Sequence, residues 1–174
     1  CNYAVFNHLA KKFEVHEIES PIPLLKAVKN TTELEGFRLA CRKDGVALSK
    51  FYYWLENRLS QQPVTELEAA EQLTWFRSQD KEYVSDSFGC ISAYGPNAAL
   101  PHYSATPEQQ SEIHPKGLYL VDSGAQYMHG TTDITRTMPL GELTELEKED
   151  YTLVLKGMID LSMLYFPKGS KGCN

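Results

Sequence analysis

The chain has 174 residues, 42% hydrophobic and 23% charged, a composition that fits one ordinary globular domain or half of a larger one. Its 17 Lys and Arg against 23 Asp and Glu give a formal net charge of -6. With no dense basic stripe and no apolar run near the ~20 residues of a membrane helix, neither nucleic-acid binding through bulk charge nor a membrane span is expected.

The four cysteines, Cys1, Cys41, Cys90 and Cys173, form no C-x-x-C pair and match no zinc-finger spacing. They read as reduced structural thiols of a cytoplasmic protein. The chain opens at Cys1-Asn2-Tyr3 without an initiator methionine and stops at Gly172-Cys173-Asn174. Both ends are expected to be cuts in a longer protein, and no signal peptide is visible.

In chain order, Tyr3 to Leu9 reads as a weak helix and Phe13 to Ile18 as an alternating strand. Ser20-Pro21-Ile22-Pro23 predicts an extended linker and a domain boundary. A capping box, Thr32 with Glu35, opens a long helix whose stripe Leu34, Phe37, Cys41, Leu48, Phe51 and Leu55 ends near Leu59. Thr65 with Glu68 opens a second helix through Leu67, Ala70, Leu73 and Phe76, which Trp75 is expected to help dock. Residues 78–87 read as a loop, Phe88 to Tyr94 as a strand, Gly95-Pro96-Asn97 as a turn, and Pro101 to Pro115 as irregular. Leu118 to Val121 predicts a buried strand, and Thr131 to Thr137 a β-branched partner ended by Gly141. Thr144 with Glu147 opens a third helix that runs through Leu146, Leu153, Met158 and Leu161 to Phe166, where Pro167 stops it. The order of elements predicts an α/β or α+β layered domain.

Asp122 ends one apolar strand and Asp133 lies inside the next, and a carboxylate in such a place needs a cation, hydrogen bonds or a proton. A turn centred on Met128-His129 sets Asp122 opposite Thr135, with Asp133 two residues away on the same face. Diagonal neighbours have Cβ atoms within ~7 Å, and two carboxylates converging from there can hold ions about 3.5–4 Å apart. A one-residue slip would send them to opposite faces. The alternative is structural: Asp122 caps the turn at Ser123-Gly124, and Asp133 pairs with Arg136 or backbone. His129 reads as an exposed turn residue, His114 as a loop residue, and Tyr103 as a packing residue.

Val121-Asp122-Ser123-Gly124-Ala125-Gln126-Tyr127 followed by Gly130-Thr131-Thr132-Asp133-Ile134-Thr135-Arg136-Thr137 resembles the signature of the Xaa-Pro aminopeptidases, metallopeptidases with the pita-bread fold. Lys26 to Asn30 with Glu33-Leu34, Gly95 to Ala99 leading to His102-Tyr103, and Phe166-Pro167-Lys168-Gly169 extend the resemblance over nearly the whole chain from about residue 21. It implies the first half of a pseudo-two-fold pita-bread domain, an antiparallel-rich sheet covered by helices, over residues 31–174. Residues 1–19 would then be the tail of a preceding domain, and 20–30 the linker.

The resemblance also implies roles. Asp122 matches the first metal-ligand aspartate, Asp133 the aspartate bridging two ions, and His102 a catalytic, substrate-contacting histidine. The implied cofactors are two divalent ions, manganese by family, with cobalt or zinc as alternatives. The implied reaction is release of an N-terminal residue followed by proline, through attack of a metal-bound hydroxide. The family site needs one His and two Glu more, which come from the second half of the domain. Residues 1–174 alone are therefore expected to be inactive, and the parent is expected to be a cytoplasmic homodimer. A prolidase-like dipeptidase and a non-catalytic pita-bread module that binds peptides or proteins stand as the rival readings.

Overall fold

The computed structural model describes residues 2–16 and 18–172. The chain divides into two compact units, residues 1–34 and 35–174. In the first, α1 (Tyr3–Ala10) is capped by Asn2, whose side chain accepts from the Ala4 N–H. The strand expected at Phe13 to Ile18 is absent from the residues described there. The extended linker is also overturned, because α2 (Ile22–Ala27) occupies it. Both prolines sit at the start of that helix, where a missing N–H is no loss and a fixed φ suits the first turn.

The long helix α3 (Thr31–Leu59) ends where expected but starts earlier. Its capping box is Asn30 with Glu33: the Glu33 N–H donates to Asn30 Oδ1 at 2.9 Å, and the Asn30 N–H donates to Glu33 Oε2 at 2.8 Å. The Thr32–Glu35 box is therefore wrong by one motif; Asn30 already satisfies the orphan donors.

In the second unit, the rest of α3 is followed by β1 (Val64–Thr65), α4 (Glu66–Ser78), β2 (Tyr83–Asp86), β3 (Ile91–Tyr94), a 3-10 turn, β4 (Glu112–Ile113), β5 (Leu118–Ser123), β6 (Ala125–Tyr127), β7 (Gly130–Thr131), β8 (Ile134–Pro139) and α5 (Glu145–Met163). Residues 78–87 thus contain a strand, contrary to the loop expected, and the irregular 101–115 segment supplies β4, which pairs with β1. Thr65 caps α4 by accepting from the Glu68 N–H.

The described strands form three antiparallel sheets, β1 with β4 and two of three strands each, and one long hairpin of β5 and β6 against β7 and β8 runs through both three-stranded sheets. β5 lies between β3 and β8, and β6 lies between β2 and β7. Asp122 pairs with Thr135 and Tyr127 with Gly130, the register expected from the turn at Met128-His129. The hairpin breaks at one level, at Gly124 on one strand and Thr132-Asp133 on the other. Asp133 therefore lies in the break and not inside a strand.

Two apolar clusters hold the unit together. Leu48, Phe51, Leu55 and Leu59 of α3 pack with Ala69 and Leu73 of α4 and Tyr119 and Val121 of β5; Ala40 packs with Ala125 and Tyr127 of β6. Each large side chain buried this way contributes ~1.5–3 kcal/mol. The helix comes closest to the hairpin at Gly36, where a Cβ would stand 2.2 Å from the His129 carbonyl oxygen, so only glycine fits. The stripe on the first half of α3 runs through Ala40, Asp44 and Ala47; Leu34 and Cys41 are exposed. Likewise α4 buries Glu66, Ala69, Leu73 and Arg77, and Trp75 stays half-exposed against Phe76. The capping box of α5 is as expected, but the helix ends at Met163, and Leu146, Leu153, Met158 and Leu161 are all exposed. Among the described residues nothing buries a side chain of that helix.

Lys43 on α3 ties down the segment entering β2. Its Nζ donates to Asp80 Oδ1 at 2.8 Å and Oδ2 at 2.9 Å and pairs with Glu82. Hydrogen bonds from Lys43 hold both carboxyls below their ordinary values of 3.8 and 4.5. Hydrogen bonds to Asp80 and Glu82 raise Lys43 above 10.5. Depressed carboxyl pKa values stabilise the fold above the unfolded values and lose that effect as pH falls through the folded ones. The raised lysine stabilises below its unfolded value and loses the effect as pH rises through the folded one. The expected result is a Tm difference between wild type and Lys43→Met that is flat across neutral pH and shrinks below about pH 4. A difference that grows on acidification would contradict it.

Candidate metal centre

The side chains of β5 alternate, with Tyr119, Val121 and Ser123 buried and Leu118, Leu120 and Asp122 on the opposite, half-buried face. Asp122 Oδ1 is buried and has no hydrogen-bond partner among the described residues. The turn-cap alternative for Asp122 is therefore not realised. Leaving a carboxyl oxygen out of water without a partner is unfavourable, so such an atom calls for a cation, a donor or a proton. Asp133 is exposed at the break and makes no ion pair with a described residue; Arg136 donates instead to the Thr135 carbonyl at 2.7 Å. The half-buried Asp122, with its unpartnered Oδ1, thus lies opposite Thr135, and the exposed Asp133 lies two residues from Thr135 in the break, diagonal to it across the hairpin.

Local chemistry explains the break. The Thr132 N–H donates to the Ala125 carbonyl at 2.8 Å, and the Ala125 N–H donates to Thr132 Oγ1 at 2.9 Å. A hydroxyl thus takes the place of a ladder carbonyl. The Thr132 carbonyl accepts from Ser87 Oγ at 2.9 Å. Gly124 makes room for this: a Cβ there would lie 2.1 Å from the Thr132 oxygen and 2.3 Å from Ser87 Oγ.

A buried ion pair lies behind the break and was missed by sequence reasoning. Arg77 Nε donates to Asp44 Oδ1 at 2.7 Å and its Nη2 to Asp44 Oδ2 at 3.1 Å. Nη2 also donates to Ser123 Oγ at 3.1 Å, and Nη1 to the Gly124 carbonyl at 3.3 Å. Thr132 Oγ1 donates to Asp44 Oδ2 at 2.7 Å. The available signal was charge on the buried helix faces, Asp44 between Ala40 and Ala47 on α3 and Glu66 and Arg77 in line with Ala69 and Leu73 on α4.

His102 is exposed and makes no hydrogen bond with a described residue. Its backbone has φ 57°, the one positive value among the described non-glycine residues. Its loop is anchored next door by Glu66, buried at the start of α4. The Glu66 carboxylate accepts from the Tyr94 N–H at 2.6 Å, the Ser111 N–H at 2.8 Å, Tyr103 OH at 2.7 Å and Asn97 Nδ2 at 3.0 Å. Tyr103 is therefore buried and bonded as well as packed. Among the described residues no His, Cys, Asp or Glu joins the two aspartates in a metal-holding group of three. Cys41 and Cys90 are free thiols, and burial pushes the Cys90 thiol up to about 12; Cys1 and Cys173 lie outside the described residues. His129 sits in the hairpin turn with its side chain half-exposed, 3.6 Å from Glu82. No described helix is long and apolar enough to cross a membrane.

The profile of metallopeptidase family M24 matches residues 35–174, and the chain belongs to that family. It is 51% identical over 161 residues to the probable Xaa-Pro aminopeptidase P of Paracoccidioides brasiliensis (strain Pb03), a match covering 91% of this chain. The chain spans about a quarter of the length of the curated relatives it matches, 26% in that case. Among solved structures, the X-prolyl aminopeptidase of Caenorhabditis elegans, described as a cytosolic enzyme with a di-nuclear active site, superposes with a TM-score of 0.79 at 40% identity. That match covers 88% of this chain and 25% of the nematode chain. The Xaa-Pro dipeptidase of Bacillus anthracis superposes at 0.73 with 25% identity, covering 91% of this chain and 43% of its own. The mixed helix and antiparallel sheet seen here is thus the architecture of the pita-bread metallopeptidases, as the resemblance implied.

Proposed function

We propose that the protein carrying this chain is a metal-dependent aminopeptidase that releases the N-terminal residue from peptides with proline at the second position. The observation that carries the reading is the buried, unpartnered Asp122 Oδ1 diagonal across the hairpin from the open Asp133, in a chain of family M24. Asp122 and Asp133 would hold the ions, and His102 would contact the peptide. When bound, two divalent ions supply Lewis acidity that activates water and polarises the scissile carbonyl. The chain's own part is to keep Asp122 free of competing hydrogen bonds and Asp133 open to the substrate side. Manganese is the metal of this reading, and the di-nuclear site and cytosolic setting of the nematode relative support two ions and a cytoplasmic location.

In this reading residues 1–19 close a preceding domain, 20–30 link, and 31–174 form the first half of the catalytic domain. Two carboxylates are too few ligands for tight binding, so residues 1–174 alone are inactive and the remaining ligands come from the rest of the parent. The homodimer rests on the family resemblance alone.

The test is manganese-dependent release of the N-terminal residue from an Xaa-Pro-Pro peptide by the full-length protein. Asp133→Asn is expected to lower turnover by at least about 100-fold, the size of loss that follows removal of a charged group at a reaction centre. Activity on Xaa-Pro dipeptides alone would move the reading to a prolidase, the activity named for the Bacillus anthracis neighbour. Activity that survives removal of all divalent metal, or an Asp133→Asn variant with wild-type turnover, would refute it.

A further inference from the structure

We propose that the buried Asp44–Arg77 pair is the positioning element that sets the spacing between Asp122 and Asp133. The inference rests on the metal reading above. Asp44 and Arg77 are 0% and 1% exposed, and the described hydrogen bonds their side chains make beyond each other all go to the hairpin, three at its break and a long one from Tyr127 OH; Arg77 Nη1 also lies 4.0 Å from Asp86 Oδ1 on β2. Arg77 holds Ser123, the residue after Asp122, and the Gly124 carbonyl one further on. Asp44 holds Thr132, the residue before Asp133. The pair thus links the flank of one carboxylate to the flank of the other.

A salt bridge this deep gives little net stability over apolar side chains of the same size, because desolvating both charges offsets their attraction. What it supplies is direction. The guanidinium is a planar fork with fixed donor angles, so Ser123 and Gly124 are held relative to Asp44 and not merely packed near it. Thr132 Oγ1 passes the constraint on, because it donates to Asp44 while accepting from the Ala125 N–H across the hairpin. An apolar core would leave the two sides of the break free to shift, and a shift of one ångström matters to a site that depends on the spacing of two carboxylates. Groups that orient metal ligands from behind typically alter metal affinity 10–100-fold when removed.

The test uses the full-length protein, manganese(II) as the probe, and two readouts, the dissociation constants and the low-temperature spin-coupled signal of a manganese pair. Asp133→Asn establishes where the metal binds. Thr132→Val and Ser123→Ala each cut one arm of the link without touching Asp122 or Asp133, and Thr132→Ser keeps the hydroxyl. The expected result is dissociation constants raised by about tenfold or more in Thr132→Val and Ser123→Ala, with a weakened coupled signal, and near wild-type values in Thr132→Ser. Thr132→Val and Ser123→Ala variants that bind two ions with wild-type affinity and coupling would overturn the inference while leaving the metal reading intact. If Thr132→Val does not fold, Ser123→Ala decides. Wild-type protein that binds no manganese, or Asp133→Asn with unchanged binding, would remove the metal reading and the positioning role with it.

Discussion

Arg77→Met is expected to lower stability by about 3–5 kcal/mol, the cost of removing one partner from a buried ion pair. With Arg77 gone, the Asp44 carboxylate stays at 0% exposure and keeps only hydroxyl donors, Thr132 Oγ1 at 2.7 Å and a long contact from Tyr127 OH at 3.5 Å. The Gly124 carbonyl and Ser123 Oγ lose their donor as well. For a domain of this size the loss is a fall in Tm on the order of 10 °C, measurable by thermal and urea unfolding. Asp44→Leu combined with Arg77→Met removes both charges and is expected to recover most of that stability. The double variant should still bind manganese weakly, because packing returns without direction. A single variant within 1 kcal/mol of wild type would show that Asp44 reaches water or a proton in its absence.

Glu66→Ala is expected to be the second large effect, about 3–5 kcal/mol. One carboxylate satisfies the Tyr94 and Ser111 N–H groups, the Tyr103 hydroxyl and the Asn97 amide together. Each buried donor left unpaired costs about 1–3 kcal/mol, and the losses are not additive. The same bonds tie the start of α4 to both ends of the loop that carries His102. Amide exchange in residues 97–111 should therefore speed up more than exchange in β5, where the ladder to β3 and β8 is untouched. Uniform acceleration across the unit would mean that Glu66 supports the core in general and not that loop.

Local features were legible. The caps at Thr65 and Thr144, the end of α3 at Leu59, the strand from Leu118 and the turn at Met128-His129 all follow from short-range chemistry: a side-chain acceptor three residues from an orphan donor, or an apolar run bounded by turn residues. The hairpin register follows too, because turn position alone sets which residues face each other, and so Asp122 opposite Thr135 is implied by the chain's spacing alone. Errors arose where two local signals competed. Asn30 displaced Thr32 as the cap because both have a glutamate three residues on. Pro21 and Pro23 fit a linker and a helix start equally well, and the helix won. The exposed apolar residues of α5 carry a helical pattern, but periodicity does not say what lies against it.

The sequence by itself determined which backbone segments form helix and hairpin and that Asp122 lies opposite Thr135, two residues from Asp133. Tertiary structure alone decided what each aspartate experiences. Asp122 Oδ1 is without a partner because no described group reaches it, a fact about packing that no spacing encodes. The break that exposes Asp133 depends on Ser87, Gly124 and Thr132 meeting from three strands or their ends. The pair behind it joins residues 33 apart, and its link to Thr132 spans 88. Charges so far apart in the chain leave no periodic signal, and only the closing of α3 and α4 over the hairpin brings them together.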